Sequence, residues 1–189
     1  YQLTLNPDNP YEYLFDGEYR AMEKRSVTVR VAAEDGQPNE QEHTTYFTHF
    51  GPVLASKVLP WNKLMAFAMR DAVVDNYLTA ATYDAMAKAE STADVEASIS
   101  QQGVYWTNTV AADRHGNAFY ADISGTPNID QALLEQCQID LSDTMRGLIL
   151  LRGDTSACEW YDDPSSKVPG TLPADKMPRL TRGDYVSNS

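Results

Sequence analysis

The sequence predicts an α+β fold, with strands in the first third, helices in the middle and a β-hairpin after them. Apolar and polar residues alternate in several early segments, which is typical of half-buried strands. Between about residues 76 and 101 the apolar residues instead follow helical spacing. The chain has no regular strand–helix–strand rhythm and no internal repeat, which argues against a parallel sheet.

The first predicted strands lie within the first 40 residues. Tyr11–Phe15 reads as a strand that ends at the turn pair Asp16-Gly17. Ser26–Val31 alternates strictly and places its three valines on one face. The polar run 34–40 then predicts a hairpin connection to the next strand.

Two more strands are predicted before the helices begin. Thr44–Phe50 alternates, and we expect it to be broken at Gly51-Pro52. The apolar run Leu64–Met69 has the length of a buried strand. It is far too short for a membrane span, which needs roughly 20 residues.

The first helix is predicted to begin after Asp75 or Asn76, either of which can cap it. Its apolar residues recur at the intervals of three and four that place them on one helix face. These residues are Leu78, Ala81, Ala85, Met86 and Ala89.

A second helix is predicted from Ala93 to about Gln101, with Thr92 as its cap. Val95 and Ile99 are four residues apart and therefore lie on the same side. Gly103 is expected to end the helix.

After the helices the sequence predicts a β-hairpin and then a long irregular region. Residues 106–113 and 118–122 read as two strands around the Gly-containing turn 114–117. From Ser124 onward Pro and Gly are frequent, and one helix is predicted near 130–140. We expect this region to take its shape from packing on a neighbour.

The charge balance excludes several classes of partner. With 15 basic and 27 acidic residues the formal net charge is −12. Nucleic acid would need a basic stripe, and no cluster larger than Lys24-Arg25 occurs. An anionic membrane surface is disfavoured for the same reason. We expect neither nucleic acid nor membrane as a partner.

No metal or cofactor site is predicted. His43 and His49, if on one strand, would share a face about 20 Å apart, which is too far for one metal ion. His115 lies in a polar turn, and no zinc-ligand spacing is present. A Ca²⁺ site around Asp162 and Asp163 is an alternative, although a solvated acidic loop explains the same residues.

Neither a serine nucleophile nor an aromatic pocket can be assigned from the residues alone. Ser156 lacks the Gly-x-Ser-x-Gly pattern of a nucleophile elbow. Trp61, Trp106 and Trp160 suit either a pocket or an ordinary core. The sequence by itself therefore predicts no catalytic constellation.

Cys137 and Cys158 are the chain's two cysteines. They either form a disulfide or remain as two buried thiols. If they pair, loop closure predicts about 3 kcal/mol of stabilisation.

A series of colinear motifs resembles the penicillin amidase family, in particular its aculeacin A and acyl-homoserine-lactone acylase branch. The motifs run through nearly the whole chain. They are THFGPVL at 48–54, WTNTVAADRHGNAFYAD at 106–122, TPN at 126–128, GDTSACEW at 153–160 and PRLTRGDYVSNS at 178–189.

The resemblance implies part of an N-terminal-nucleophile hydrolase of the αββα type. In that family a precursor cleaves itself and exposes a Ser, whose own α-amino group takes the hydroxyl proton. The Ser would lie upstream of Tyr1. The resemblance places the oxyanion Asn at the position that follows Ser189. It places Asn188 itself in a strand beside the site. No catalytic residue is therefore expected within this chain, and no cofactor is implied.

The resemblance also proposes substrate-binding residues. Trp106 matches an aromatic that lines the acyl pocket, and Tyr83 falls near a second such position. Ordinary core packing is the alternative for both. Because the family's members are exported, the resemblance favours a Cys137–Cys158 disulfide.

We therefore expect residues 1–189 to be one segment of an acylase β-subunit, truncated at both ends and inactive by itself. The parent would hydrolyse a linear amide such as an acyl-homoserine lactone, a penicillin or a lipopeptide side chain. The partners implied are this small-molecule substrate, the rest of the β-subunit and the α-subunit, in the periplasm or outside the cell. A non-catalytic secreted binding or scaffold module is the alternative. An exposed apolar face and reduced stability are also expected.

Overall fold

The computed structural model describes residues 1–32, 38–74, 76–140 and 148–188. Its contacts divide the chain into two compact units. The first unit comprises Tyr1–Asp71 and Gln131–Glu159, and the second comprises Ala72–Asp130 and Trp160–Ser189.

Strands and helices are both present, and the predicted α+β class is confirmed. The strands are β1 (Gln2–Asn6), β2 (Asn9–Phe15), β3 (Glu18–Ala21), β4 (Glu23–Ala32), β5 (Pro38–Thr48), β6 (Gly51–Leu54), β7 (Met65–Ala68), β8 (Thr109–Ala112), β9 (Ala118–Ala121) and β10 (Arg179–Arg182). The α-helices are α1 (Thr79–Ala87), α2 (Thr92–Ile99) and α3 (Gln131–Cys137), and short 3₁₀ helices span Ser156–Cys158 and Ala174–Lys176.

The first unit is built on a seven-stranded antiparallel sheet in the order β3-β2-β1-β7-β6-β5-β4. Its two outermost strands, β3 and β4, are separated in the chain by Met22 alone. The Met22 N–H donates to the Tyr11 carbonyl of β2 at 2.9 Å. The sheet therefore curls, because consecutive residues join its opposite ends.

The turn between β2 and β3 is the predicted Asp16-Gly17 pair. Both residues have positive φ, 50° and 85°. A two-residue turn of this kind matches the twist of the strands that it joins, and Asp and Gly tolerate that backbone. The turn prediction is confirmed.

The predicted strand over Ser26–Val31 lies within β4, but its valine face is exposed rather than buried. The strand predicted over Thr44–Phe50 belongs to β5, which already begins at Pro38 and ends at Thr48. Gly51 and Pro52 begin β6. Of the predicted polar connection 34–40, residues 34–37 lie outside the described residues. Residues 38–40 belong to β5, so the prediction was wrong for them.

The predicted buried strand over Leu64–Met69 is confirmed as β7, which is mostly buried in the sheet. The helix predicted near 130–140 is confirmed as α3, and its Cys137 Sγ lies 2.13 Å from the Sγ of Cys158. Both sulfurs are buried. The bond joins α3 to the 3₁₀ helix that precedes Glu159.

The second unit contains the three-stranded sheet β10-β9-β8 and helices α1 and α2. One sheet face and the helices enclose its core. The core residues are Ile99, Val104, Phe119, Ala121, Ile123 and Met177. The predicted hairpin is confirmed as β8 and β9, although the first strand begins at Thr109 rather than near Trp106. The third strand, β10, was not predicted, because the short segment Arg-Leu-Thr-Arg lacks an apolar alternation.

The start of α1 differs from the prediction. Leu78 occupies the N-cap position, and no side chain caps it. Asn76 instead accepts a bond from the Leu78 N–H at 3.0 Å and donates its amide to the Gln102 carbonyl at 2.6 Å. Thr82, rather than a residue of the predicted apolar face, is the buried residue of α1. The other capping candidate, Asp75, lies outside the described residues.

The predicted cap of α2 was wrong by one residue, and the helix ends at Ile99, two residues before the predicted Gln101. The cap is Ser91, whose hydroxyl accepts from the Asp94 N–H, and Thr92 is the first helical residue. The prediction that Val95 and Ile99 lie on the same side is confirmed, since Ile99 is a core residue and Val95 packs against that core. The helix ends before Gln102, which takes the positive φ of 63° itself. Gly103 serves a different purpose: a Cβ there would lie 2.5 Å from the Leu78 carbonyl oxygen.

Candidate functional site

A groove of about 390 Å³ lies on the second unit, where β9 and β10 meet the segment that follows them. It combines aromatic, aliphatic, amide and cationic groups. The lining residues are Tyr120, Leu180, Arg182, Tyr185, Val186, Ser187 and Asn188.

Strand register explains which side chains face the groove. Tyr120 of β9 is paired with Leu180 of β10 on one side and with Val110 of β8 on the other. Its neighbours Phe119 and Ala121 are buried in the core. Since successive side chains on a strand point to opposite faces, the row through Tyr120 lies on the face away from that core. Val110 and Leu180 remain about half exposed there.

Arg182 carries the positive charge of the groove wall. Its Nε and a terminal nitrogen each lie 2.6 Å from a carboxylate oxygen of Asp184, a bidentate pair. The guanidinium also lies 5.9 Å from the ring centre of Tyr185. The hydrogen bonds from Arg182 hold the pKa of Asp184 well below its usual range. Because the pair is neutral overall, it does not make the groove an anion site.

An amide pair links the end of the groove to β8. Asn108 donates its side-chain N–H to the Asn188 side-chain oxygen at 2.9 Å. Asn188 lies outside any strand, so its predicted strand position was wrong. The segment after Arg182 is shaped by this bond and by the Asp184 pair rather than by a strand ladder. Amide groups beside apolar side chains suit a neutral ligand with polar and apolar parts.

The two predicted acyl-pocket residues both lie in the second unit and are both exposed. Trp106 precedes β8 and is 70% exposed, and its ring is 5.8 Å from that of Tyr105. Tyr83 lies on α1 and is 51% exposed. Neither ring is packed in the core of the described chain. Neither lines the groove, and their acyl-pocket roles stay predictions.

The histidine geometry differs from the prediction. His43 is exposed on β5, whereas His49 lies beyond the end of that strand, so they do not share one strand face. The backbone N–H of His115 donates to Asp113 within the hairpin turn. In the described ranges, no three His, Cys, Asp or Glu residues form a metal-binding group.

The acidic residues proposed for Ca²⁺ each have a protein partner. Asp162 accepts the Gly170 N–H at 2.9 Å. Asp163 accepts from Ser165 and forms a 2.7 Å ion pair with Lys176. These contacts favour the solvated-loop interpretation, because Lys176 already neutralises Asp163.

The groove can bind a ligand, but its own groups do not form a nucleophile and base. Within the part of the chain that the structure describes, no serine, threonine or cysteine side chain is hydrogen-bonded to a histidine. Sequence reasoning missed Tyr120, Leu180, Arg182 and Tyr185 as lining residues. The motifs at 106–122 and 178–189 contain all four, but only the pairing of β9 with β10 brings them together.

Comparisons with known proteins give one consistent result. The penicillin amidase family model matches residues 1–189. An acyl-homoserine lactone acylase, PvdQ, from Pseudomonas fluorescens is 38% identical over 191 residues, covering 100% of this chain and 24% of its own length. The aculeacin-A acylase of Actinoplanes utahensis is 30% identical over 194 residues, again covering 100% of this chain and 24% of its own length. The chain therefore spans about a quarter of the length of these relatives.

A solved structure gives the same fold. The thermostable penicillin G acylase from Alcaligenes faecalis matches with a TM-score of 0.67 over 96% of this chain and 28% of its own length, at 22% identity. The match agrees with the fold class that the family resemblance implied. Among the described residues, no helix is both long and apolar enough to cross a membrane.

Proposed function

The chain belongs to the penicillin amidase family, and on this premise we propose that residues 1–189 form one segment of the β-subunit of an acylase. The acylase hydrolyses a linear amide bond through an N-terminal Ser that this chain does not contain. Its candidate substrates are acyl-homoserine lactones, penicillins and lipopeptide side chains. The segment contributes binding surface and has no hydrolytic activity by itself.

The observation that carries this proposal is the match of all 189 residues to about a quarter of each acylase relative. A match of this kind fits a segment within a larger enzyme. The groove supports the same interpretation, since its amide and apolar groups suit an acyl amide and it lacks a catalytic base. Both units of the chain belong to the segment.

Trp106 and Tyr83 are our candidates for contact with the acyl group. Their exposure supports this role, because an exposed aromatic ring can cover an apolar substrate. Burying a ring of this size against an acyl chain stabilises the complex substantially. Trp106 is the stronger candidate, since it lies within the resembling motif at 106–122, whereas Tyr83 only falls near a second such position.

The partners of the segment are then the rest of the β-subunit, the α-subunit of the same precursor and the amide substrate. We propose a periplasmic or extracellular location, which suits the Cys137–Cys158 disulfide. Antibiotic tailoring, the degradation of acylated signals and scavenging are biological roles that fit this substrate class.

The test compares the 189-residue chain with the complete reading frame that contains it. Both are incubated with an acyl-homoserine lactone and with penicillin G, and release of the amine is measured. We expect turnover only by the complete protein, which should carry a Ser at the start of a processed subunit. Replacing that Ser with Ala should abolish turnover and serves as the control.

Hydrolysis by the 189-residue chain would contradict the proposal, as would a complete protein without an N-terminal Ser. In the second case a secreted binding module becomes the better interpretation.

A further inference from the structure

The first unit contains a second pocket, which the proposed acylase function does not use. Its volume is about 410 Å³. Three aromatic rings and a proline form most of its wall, and an amide and an amine stand at its rim. The lining residues are Pro10, Tyr11, Tyr46, Trp61, Asn62 and Lys63.

The aromatic rings form a fixed surface. Tyr11 and Tyr46 stack with ring centres 4.7 Å apart. Trp61 meets both rings edge to face, at 5.8 Å from Tyr11 and 5.3 Å from Tyr46. Offset stacking and edge-to-face contacts are the preferred aromatic geometries, so the rings stabilise one another without a ligand.

The curl of the sheet creates this surface. Tyr11 belongs to β2 and Tyr46 to β5, and three strands separate these two in the sheet order. Their rings meet because Met22 joins the sheet's two ends and its N–H bonds to the Tyr11 carbonyl. The pocket is therefore a product of the fold.

The loop that carries the rim residues is held in place by its own hydrogen bonds. The Asn62 side-chain oxygen accepts the N–H groups of Leu64 at 2.8 Å and Met65 at 3.0 Å. The Asn62 N–H donates to the Met65 carbonyl at 3.0 Å. This arrangement uses the oxygen of Asn62 and leaves its amide N–H₂ as a donor at the rim.

The charge at the pocket is positive, in contrast to the chain's net charge of −12. Lys63 is the charged residue of the lining and makes no ion pair among the described residues. Lys24 lies directly opposite Tyr46 in the β4–β5 register and adds a second cation close by. Glu12 is one residue from Tyr11 and therefore lies on the other strand face, where it accepts hydrogen bonds from Asn6 and Asn9.

From this geometry we infer that the pocket formed by Tyr11, Tyr46, Trp61 and Lys63 is a binding site for a small carboxylate with a flat apolar body. The body packs against the aromatic wall. The carboxylate lies at the rim, where it accepts from the Lys63 ammonium and from the Asn62 amide. This inference rests on the pocket alone and is independent of the proposed acylase function.

The test uses 2-naphthoate with two ligands of the same ring body, neutral 2-naphthamide and cationic 2-naphthylmethylammonium. Binding to the 189-residue chain is followed by NMR through the Trp61 indole N–H, which is assigned with Trp61→Phe. We expect 2-naphthoate to bind with a Kd on the order of 1 mM, as suits a shallow exposed site. It should bind more tightly than 2-naphthamide, and the cation should bind most weakly.

Lys63→Gln should weaken 2-naphthoate binding by about twofold to fivefold, the range of an exposed ion pair, and leave 2-naphthamide unchanged. Lys57→Gln is the matched control, an exposed lysine outside the lining, and should change neither. An unshifted Trp61 signal would overturn the inference, as would equal binding of the three ligands. Identical behaviour of the Lys63→Gln and Lys57→Gln variants would overturn the role of Lys63.

Discussion

The imidazole of His49 and the carboxylate of Glu159 face each other with 3.5 Å between Nε2 and Oε1, although they are far apart in the sequence. The other ring nitrogen, Nδ1, lies 2.9 Å from the Tyr13 hydroxyl. Glu159 also pairs with Arg70 at 3.2 Å. His49 thus connects Glu159, which directly follows Cys158 of the disulfide, to the curled sheet.

This arrangement predicts a pH-dependent stability. Burial is the largest influence and lowers the pKa of His49 below its ordinary value of 6.5. Arg20 and Arg70 act in the same direction, and Glu159 opposes them. The unfolded chain therefore binds a proton before the folded chain does. We expect the Tm to be highest above pH 6.5 and to fall as the pH drops from there through the folded-state pKa.

The measurement is a series of thermal melts from pH 7.5 to 5 on the wild type and on His49→Gln. The variant should lose part of the pH dependence. His43→Gln, which changes an exposed histidine on β5, should retain it. A wild-type Tm that rises relative to His49→Gln on acidification would contradict the prediction.

Gly103→Ala should destabilise the second unit by about 1–3 kcal/mol, the usual cost of overpacking. The added Cβ would clash with the Thr82 hydroxyl and would lie 2.5 Å from the Leu78 carbonyl oxygen, which is backbone and cannot rotate away. Denaturant unfolding measures the loss. Gly183→Ala is the matched control, with open space around its Cβ, and should stay within about 0.5 kcal/mol of wild type.

Replacing both Cys137 and Cys158 with Ala should lower the free energy of unfolding by about 3 kcal/mol, because the unfolded chain regains the freedom of a closed loop. Denaturant unfolding with and without a reducing agent measures this. The reducing agent should destabilise the wild type and leave the double variant unchanged. Equal stability of wild type and variant without the agent would refute the prediction.

Asp113→Ala should lower the Tm by several degrees. One carboxylate oxygen accepts the N–H and hydroxyl of Thr92, and the other accepts the backbone N–H groups of His115 and Asn117. The carboxylate therefore joins the start of α2 to the β8–β9 turn. The comparison is Glu90→Ala, an exposed acid near the same helix, for which we expect no change; similar melts for both variants would speak against this role.

Trp106→Ala should leave the stability of the chain within about 0.5 kcal/mol, since the ring is 70% exposed. If the complete protein has the proposed acylase activity, the same change should lower its kcat/KM for an acyl-homoserine lactone by about tenfold, through lost contact with the acyl group. Tyr83→Ala should have a smaller effect. Tyr77→Ala, which removes another exposed ring of this unit, should leave kinetics unchanged; an equal loss in that variant would argue against a specific acyl contact.

Local patterns in the sequence determined most of the individual elements. The Asp16-Gly17 turn, strand β7, the β8–β9 hairpin and the shared side of Val95 and Ile99 all follow from spacing and turn chemistry, because each depends on residues close in the chain. The order of the family motifs was equally visible. The sequence was less informative where a side chain had two possible partners. Asn76 and Thr92 have the chemistry of helix caps, yet neither occupies the cap position, and each also bonds to a group far away in the chain.

The tertiary structure decided what depends on residues far apart. β10 has no apolar alternation of its own and is a strand because β9 pairs with it. The stacking of Tyr11 on Tyr46 requires the curl of the sheet at Met22, and the His49–Glu159 contact requires residue 159 to return to that sheet. Gly103 illustrates the same limit: its sequence position suggests a helix end, whereas the approach of the Leu78 carbonyl makes a small residue necessary. Local spacing fixes which dihedral angles a segment prefers, but only the packed chain determines which groups meet.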